Sequence, residues 1–355
     1  MGLKRKMRHV VLFLMHLLKL VFIPKTDVQK RILGIWDYKS LPWSIGDALV
    51  FVEKLSLLKI LHNAEGVDIC VVYDQEKPGG NRSGYISKEN AQDNTMDTYL
   101  PLFTTSPYLE NLYQFSSRNE FYRFLKMNID RYEVFPSITD HLSESYNFVG
   151  GEPLHFTEVE EFYQRYSYIP HLKIGEKYRK YAREFYKANL KENAIPVTLS
   201  LRGKNVASYS DDPRNADPSV WLGFIKHCDK EYPQVTFVFI GYREEVLPGL
   251  TNMKNVVVAK NWGTNIMEDF ALIRESALYI GTTSGINTIA QFSDLPYMVF
   301  NFMDRRYRLV DGENFKFAHQ QQKLFPGTLQ ITKELLLNAF KEVYNSINKA
   351  PWIKK

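Results

Sequence analysis

The chain alternates between short apolar runs and longer stretches in which apolar positions recur at helical spacing. In the first third, residues 31–37 (RILGIWD) and 67–73 (VDICVVY) are apolar runs that predict buried strands. Residues 48–62 (ALVFVEKLSLLKILH) lie between them and predict a helix. A strand, a helix and a strand in this order form a βαβ unit, which predicts a parallel sheet in the first half of the chain.

The second half shows the same alternation more regularly. Strands are predicted at residues 196–201, 235–241, 255–259, 277–281 and 296–300. Helices are predicted at residues 217–230, 265–276, 285–292 and 331–348. In the first of these helices, Asp217 is a candidate N-cap and Pro218 takes the first helical position. Alternating strands and helices are typical of a doubly wound sheet.

The middle of the chain is less regular. Residues 74–98 are polar and rich in glycine, which predicts an exposed loop. Residues 157–168 and 175–193 predict helices, and the strong charge of the second indicates a solvated helix near a domain junction.

A length of 355 residues accommodates two domains with separate cores. The sequence therefore predicts an α/β protein with two Rossmann-like doubly wound domains. The predicted divisions are a basic and apolar segment (1–25), a first domain (26–185), a second domain (186–330) and a closing helix (331–355). The cleft between two such domains is the expected ligand site.

Composition and charge narrow the classes of partner. The net charge of +5 is mild and forms no basic stripe, which argues against nucleic acid and suits anionic ligands such as nucleotide diphosphates or lipid headgroups. Cys70 and Cys228 both lie in apolar elements, so we expect buried, reduced thiols. They are too few for a cysteine zinc site, and the histidines form no pair at metal-binding spacing. No metal is expected.

Residues 1–25 form a distinct segment. Four cations (Lys4, Arg5, Lys6 and Arg8) precede the apolar run 10–23, which is shorter than the roughly 20 residues of a spanning helix. Three interpretations are open: a basic helix lying on anionic lipid, an ordinary helix packed on the domain, and a signal peptide. We favour the first, which predicts peripheral contact with a membrane.

The strongest candidate for chemistry is the run 279–290 (YIGTTSGINTIA). An apolar strand ends in a turn of Thr282, Thr283 and Ser284, and a predicted helix begins near Gly285. Hydroxyl groups and the first N–H groups of a helix bind phosphate, and glycine lets a ligand approach the backbone. The alternative is an ordinary helix N-terminus with no ligand.

Two arginines follow the strand at residues 196–201. Arg202 lies at its carboxyl end, where a guanidinium can grip a diphosphate with two hydrogen bonds. Arg214 could do the same from the next loop. The alternative is two surface arginines, one of them paired with Asp211 or Asp212. Two adjacent aspartates in a flexible loop do not converge on one cation, so they predict no metal site.

Four carboxylates are further candidates. Asp47, in the sequence SIGD between the first strand and the first helix, is placed either to take a proton from a hydroxyl or to cap the helix. Asp37, at the end of the first strand, is the second candidate base. Glu268 and Asp269 begin a helix, where they either stabilise the helix dipole or bind a nucleotide ribose.

These motifs together resemble a known group of enzymes. Residues 44–49 (SIGDAL), followed by an apolar helix, resemble the first loop of the heptosyltransferase-like group of GT-B glycosyltransferases. Residues 281–290 resemble the second-domain loop of that group, which holds the diphosphate of a nucleotide sugar. Residues 202–221 resemble bacterial surface-polysaccharide proteins of GT-B-like architecture.

The resemblance implies an inverting, metal-independent transfer from a nucleotide-diphospho-sugar to a glycan or glycolipid acceptor in surface polysaccharide or lipopolysaccharide synthesis. It makes Asp47 the general base and assigns the diphosphate to Arg202 and residues 282–285. The first domain would bind the acceptor and the second the donor. It also implies a place in the cytoplasm, peripheral on the inner face of the membrane.

This chain departs from the pattern of the group at two places. The relatives have aspartate where this chain has Thr282 or Thr283, and histidine where it has Asn287. Asn287 remains a candidate ligand-binding residue. Two alternatives therefore stay open: a sugar-nucleotide epimerase on the same architecture, and a non-catalytic protein that binds a glycan or a partner.

Overall fold

The computed structural model describes residues 30–38, 44–73, 95–137, 156–203, 212–302 and 314–347. The basic segment 1–25, most of the predicted loop 74–98 and Asp211 lie outside the described residues. Within the described ranges, no helix combines the length and the apolar character needed to span a membrane.

The chain divides into two compact units. The described part of the first unit comprises residues 30–38, 55–73, 95–100 and 108–137. The described part of the second comprises residues 44–54, 101–107, 156–203, 212–302 and 314–347. Residues 156–185, which were predicted to belong to the first domain, lie in the second unit. One reason is packing, since the rings of Phe156 and Phe315 stack at a centroid distance of 4.6 Å.

The first unit contains a parallel sheet. Its described strands are β1 (Arg31–Asp37), β2 (Val67–Val72), β3 (Leu109–Phe115) and β4 (Tyr132–Phe135), in the order β3-β2-β1-β4. Its described helical segments are the later part of α1 (Ile45–Leu61), a π-helical turn (Thr95–Tyr99), the first residue of α2 (Leu100–Phe103) and α3 (Arg118–Asn128). The predicted βαβ unit, β1-α1-β2, is confirmed.

The two strands of this unit that were predicted from the sequence lie in its core. Leu33 and Ile35 of β1 pack with Cys70 and Val72 of β2 against Phe121 of α3. Both strands are mostly apolar, and all of their residues except Arg31 are buried. Strand β3 pairs only with β2 among the described strands and has a mostly half-exposed or exposed surface, so its apolar signal is weak.

The second unit contains a larger parallel sheet. Its described strands are β5 (Ile195–Ser200), β6 (Val235–Phe239), β7 (Val256–Val258), β8 (Leu278–Thr282), β9 (Tyr297–Phe302) and β10 (Gln322–Pro326). They lie in the order β10-β9-β8-β5-β6-β7, and each neighbouring pair is parallel. The predicted strands β5 to β9 are confirmed. Strand β10 was not predicted, because it is short and begins with Gln322 and Lys323.

Helices connect the strands of the second unit. They are α4 (Phe156–Tyr166), α5 (Glu176–Asn189), α6 (Pro218–Glu231), α7 (Ile266–Arg274), α8 (Thr288–Gln291) and α9 (Lys333–Ser346). Trp221 and Phe224 of α6 and Phe340 of α9 pack on one face of the sheet. The predicted N-cap is confirmed, because the Asp217 carboxylate accepts a hydrogen bond of 2.8 Å from the Ser219 N–H.

One predicted helix is wrong in its extent. Residues 285–292 form a 3-10 turn (Gly285–Asn287) followed by the single α-helical turn of α8. Ser293 helps to end this turn: its hydroxyl donates to the Ala290 carbonyl at 2.8 Å and accepts from the Leu295 N–H at 3.2 Å. The short connection leads directly into β9.

Both cysteines are buried and unpaired, as the sequence predicts. Burial raises the pKa of both thiols, and that of Cys228 reaches about 12. Neither thiol is therefore activated as a nucleophile.

Candidate functional site

The strand order of the second unit creates a switch point between β5 and β8. The chain proceeds from β5 outward through β6 and β7, and from β8 in the opposite direction through β9 and β10. The two central strands are direct neighbours, with Ser200 paired to Gly281 at their carboxyl ends. Open α/β sheets bind ligands outside the carboxyl ends of strands at such a point. The loops that begin there are the ones that carry Arg202 and the turn 282–285.

A hydrogen bond joins these two loops. The Arg202 N–H donates to the Thr282 hydroxyl oxygen at 2.8 Å, and Thr282 is fully buried. The neighbouring Thr283 hydroxyl donates to the Asn301 carbonyl at 2.8 Å. Both threonine side chains therefore bind the protein backbone. From the sequence, Thr282, Thr283 and Ser284 were equivalent candidates. In the structure, the hydroxyls of the two threonines bind the backbone and that of Ser284 does not.

Ser284 and Asn287 differ from the two threonines. The Ser284 hydroxyl oxygen and the Asn287 side-chain nitrogen are shielded from solvent, and neither has a hydrogen-bond partner among the described residues. An unsatisfied buried polar group costs about 1–3 kcal/mol, so such groups commonly bind water or a ligand. Because α8 is a single turn, its helix dipole is small. The side chains of Ser284 and Asn287 are therefore the more important candidates for binding a ligand here.

Gly285 lies against the start of α1, and its predicted role in phosphate binding stays a prediction. A β-carbon on this residue would lie 2.6 Å from the Gly46 nitrogen and 3.1 Å from the Ile45 β-carbon. The close approach that this glycine permits is therefore made by the start of α1. Residues 44–54 belong to the second unit, so this contact lies within one compact unit.

Asp47 follows Gly46 directly. It lies in the first turn of α1, half-exposed, and its N–H approaches the Ser44 hydroxyl oxygen at 3.4 Å. Ser44 thus caps the helix, whereas the sequence left open that the Asp47 carboxylate does so. The position next to Gly46 places Asp47 beside the turn that carries Gly285.

Asp212 forms ion pairs with both candidate arginines. Its carboxylate accepts from the Arg214 Nε at 2.8 Å and lies 3.3 Å from an Arg202 guanidinium nitrogen. Hydrogen bonds from Arg214 lower the pKa of Asp212 to about 2. The alternative considered from the sequence was two surface arginines, one of them paired; here both are paired with Asp212, and the Arg202 side chain is largely buried. Glu245 also lies near Arg202, so two guanidinium groups face two carboxylates at the carboxyl end of β5.

Asp37 lies in the first unit. Its carboxylate binds the Arg118 guanidinium through two hydrogen bonds, of 2.7 and 3.1 Å, and both side chains are largely buried. Both oxygens of the Asp37 carboxylate are therefore engaged by the Arg118 guanidinium. The role of Asp37 as a base stays a prediction that this ion pair disfavours.

Glu268 and Asp269 take up structural positions at the start of α7. The Glu268 carboxylate and the Asn265 side chain form a reciprocal capping box. Asp269 is buried; its carboxylate accepts from the Thr264 hydroxyl at 2.7 Å and forms an ion pair with Lys260 at 2.9 Å. The ribose-binding role considered for both residues stays a prediction.

Two residues near the switch point were not found from the sequence. A β-carbon on Gly241 would lie 3.4 Å from the Glu245 carboxylate and 3.8 Å from the Ser200 hydroxyl oxygen, which places Glu245 at this edge of the sheet. Burial raises the pKa of Glu245, and the Tyr242 backbone hydrogen bond and nearby Arg202 offset this only in part. The second residue is Tyr279, whose hydroxyl group approaches Ser200 and Ser284. The feature of the sequence that could have indicated Tyr279 is a tyrosine placed two residues before a glycine in an apolar strand.

Among the described residues, no group of three or more histidine, cysteine, aspartate or glutamate side chains is placed to hold a metal ion.

Comparison with solved structures finds the same overall architecture in glycosyltransferases. A glycosyl transferase family 9 protein from Veillonella parvula aligns over 90% of this chain and 99% of its own, with a TM-score of 0.56 and 13% identity. ADP-heptose LPS heptosyltransferase II from E. coli aligns over 88% of this chain and 98% of its own, with a TM-score of 0.53 and 11% identity. No protein-family model matches the chain, and the search of curated proteins found no match. At these identities the likeness concerns the fold, and the predicted GT-B fold is confirmed.

Proposed function

We propose that this protein is a glycosyltransferase that binds a nucleotide-diphospho-sugar at the switch point of its second unit. The observation that carries this proposal is the hydrogen bond of 2.8 Å between the Arg202 N–H and the Thr282 hydroxyl oxygen. It brings a cation and a turn with unsatisfied donors to the place where open α/β sheets bind their ligands. The GT-B fold supports the same assignment.

The groups around this point suit a diphosphate. Arg202 and Arg214 supply positive charge, and Ser284 and Asn287 supply donors that have no acceptor among the described residues. Guanidinium groups bind phosphate oxygens through paired hydrogen bonds. In this proposal, the arginines and the backbone N–H groups neutralise the charge of the leaving diphosphate, and no metal is needed.

Asp47 is the proposed general base. Its neighbour Gly46 touches Gly285, so residue 47 follows directly on the contact between α1 and the turn that would hold the diphosphate. Asp47 takes the proton of an acceptor hydroxyl while that oxygen forms a bond to the anomeric carbon. The bond from this carbon to the diphosphate oxygen breaks, and the diphosphate leaves with the electron pair. Attack opposite the leaving group inverts the anomeric configuration.

The finer features of the function are proposals of the same kind. A glycan or glycolipid of the cell surface is the proposed acceptor, and residues 1–25 are the proposed contact with the inner face of the membrane. The name of the E. coli neighbour, an ADP-heptose transferase, makes ADP the first nucleotide to test.

A calorimetric titration with ADP, UDP, GDP and CDP tests the donor site. We expect one of the four to bind, and Arg202→Gln to weaken that binding about 10- to 100-fold, as for hydrogen bonds to a charged group. The matched control is Arg165→Gln, which changes an exposed arginine on α4 of the same unit and should bind as the wild type does. If none of the four binds, or if Arg202→Gln binds as tightly as the wild type, the donor site is refuted.

Turnover of the matching nucleotide sugar tests the base. Asp47→Asn should lower transfer to a glycan acceptor by about 10²- to 10⁴-fold while nucleotide affinity is unchanged. Glu120→Gln is the control, because Glu120 is an acidic residue in the first turn of α3 and loses the same helix-dipole interaction. Equal turnover in Asp47→Asn and the wild type would remove Asp47 from the role. Isomerisation of the nucleotide sugar without an acceptor would indicate an epimerase, and binding without any reaction a non-catalytic protein.

A further inference from the structure

Tyr279 is a fully buried residue of β8 whose side chain reaches the carboxyl end of the strand. A β-carbon on Gly281 would lie 2.6 Å from the Tyr279 hydroxyl oxygen and 3.1 Å from its Cζ. The same β-carbon would lie 2.6 Å from the Ser200 carbonyl oxygen. The phenol therefore extends along the strand over Gly281, and the absence of a side chain at residue 281 makes room for it.

The Tyr279 hydroxyl group ends beside two serines. Burial raises its pKa, as does the Glu245 carboxylate, and the Ser200 and Ser284 hydroxyls lower it by a smaller amount than burial raises it, so the phenol keeps its proton. It has no hydrogen-bond partner in proper geometry among the described residues, and the same holds for the Ser284 hydroxyl oxygen. Two adjacent buried hydroxyl groups are thus unsatisfied at the switch point.

The chemistry of the two groups is complementary. A serine hydroxyl has one proton to donate and two lone pairs that accept, and a protonated phenol has one proton to donate. If the Ser284 proton points to a ligand oxygen, its lone pairs are open to the Tyr279 proton. Hydrogen bonds in such a chain strengthen one another. The Thr283 hydroxyl already donates to the Asn301 carbonyl, and the Thr282 oxygen accepts from the Arg202 N–H. The Ser284 hydroxyl has no partner among the described residues, so we assign the role to it.

We propose that Tyr279 is a positioning residue of the donor site: its hydroxyl donates to the Ser284 oxygen, which in turn donates to an anionic oxygen of a nucleoside diphosphate. This inference rests on the proposed donor site and assigns its ligand contact to one hydroxyl of the turn. Tyr279 itself touches no ligand. Without it, the Ser284 hydroxyl is free to rotate away from the ligand.

The chain offers a matched control in Tyr297. This residue is paired directly with Tyr279 across β8 and β9, so both side chains leave the same face of the sheet. Tyr297 is also fully buried, and its hydroxyl has no partner among the described residues. Burial alone raises its pKa, with no contribution from a neighbouring hydroxyl. Tyr297→Phe therefore removes the same atom from a buried position on the same face of the sheet, away from Ser284.

A double-mutant cycle tests the proposal. The dissociation constants of ADP, UDP, GDP and CDP are measured for the wild type, Tyr279→Phe, Ser284→Ala, the double variant and Tyr297→Phe. We expect Tyr279→Phe and Ser284→Ala each to weaken the nucleotide that binds by about three- to tenfold, the range for one hydrogen bond. The double variant should be no weaker than Ser284→Ala, and Tyr297→Phe should equal the wild type. Thermal unfolding checks that both phenylalanine variants are folded.

The outcomes separate the two proposals. Wild-type affinity in Tyr279→Phe, or effects of Tyr279→Phe and Ser284→Ala that multiply in the double variant, would overturn the positioning role. If Arg202→Gln still weakens binding in that case, the donor site stands without Tyr279. Failure of the wild type to bind any of the four nucleotides would overturn both proposals.

Discussion

The backbone nitrogen of Gly46 lies 2.6 Å from the point that a β-carbon on Gly285 would occupy. In the other direction, a β-carbon on Gly46 would lie 3.1 Å from the Gly285 α-carbon and 3.4 Å from the Thr288 hydroxyl oxygen. The two backbones therefore touch without intervening side chains. This contact seats the start of α1, with Asp47, on the turn that contains Ser284.

Gly285→Ala should destabilise the protein by about 1–3 kcal/mol, the usual cost of overpacking. The new methyl group would meet backbone atoms of Gly46, which cannot rotate away as a flexible side chain can. Chemical denaturation measures the free energy of unfolding. Gly223→Ala in α6 is the control, because its β-carbon would meet only the Lys333 side chain, at 3.4 Å. It should stabilise the protein by about 0.5–1 kcal/mol, and equal stability of the two variants would contradict the contact.

Glu53→Gln should make stability less dependent on pH. Glu53 of α1 is fully buried, and neither carboxylate oxygen has a partner among the described residues. Burial raises its pKa in the folded protein well above the ordinary value of about 4.3. The folded state then holds a proton that the unfolded state releases, so stability falls as pH rises above about 4.3, by up to roughly 1.4 kcal/mol per pH unit, until the folded-state pKa is reached.

The measurement is the free energy of unfolding of the wild type and the variant between pH 4 and pH 8. The advantage of Glu53→Gln should be small near pH 4 and grow with pH. Glu184→Gln on α5, an exposed residue paired with Lys180 at 3.8 Å, should follow the wild-type curve with a small constant offset. A constant difference between Glu53→Gln and the wild type would show that Glu53 is not held protonated.

Arg214→Gln should raise the pKa of Asp212. Hydrogen bonds from Arg214 are the main reason why this pKa falls to about 2, and in their absence it should move toward the ordinary value of about 3.9. Because the folded-state pKa is depressed, Asp212 contributes stability above pH 3.9, and this contribution is lost as the pH falls toward 2. Carboxyl NMR titration measures the change. Arg165→Gln should leave the Asp212 titration unchanged, and an unshifted Asp212 in Arg214→Gln would refute the assigned cause.

The order of apolar runs was sufficient to predict most of the fold. Strands such as β5 and β8 are buried along their whole length, so their apolar character alone marks them. Strands β3 and β10 carry polar residues, and no apolar run marks them in the sequence. The extent of α8 depended on Ser293, whose side chain ends the helix through bonds that no periodicity shows.

The sequence was sufficient to predict which loops form the candidate site. It was not sufficient to predict the contacts between their residues. The alternation of strands and helices predicts which loops lie at the carboxyl ends of strands, and Arg202 and Thr282 do meet there. Which hydroxyl binds the backbone depends on neighbours distant in sequence, such as Asn301 for Thr283. The contact of Gly46 with Gly285 joins residues more than two hundred positions apart, and spacing contains no signal for it.

Arg118→Met should destabilise the protein by about 3–5 kcal/mol, because it leaves the Asp37 carboxylate buried without its guanidinium. The pair is bidentate, and the exposed fractions of its side chains are 13% for Arg118 and 2% for Asp37. Lys180→Met on α5 is the control, since it breaks an exposed ion pair with Glu184 and should cost less than about 1 kcal/mol. Chemical denaturation compares the two. If both variants lost equally little stability, the Asp37 carboxylate would have to be accessible to solvent, and its role as a base would regain support; a large loss in Arg118→Met alone would fix Asp37 as a structural anion of the first sheet.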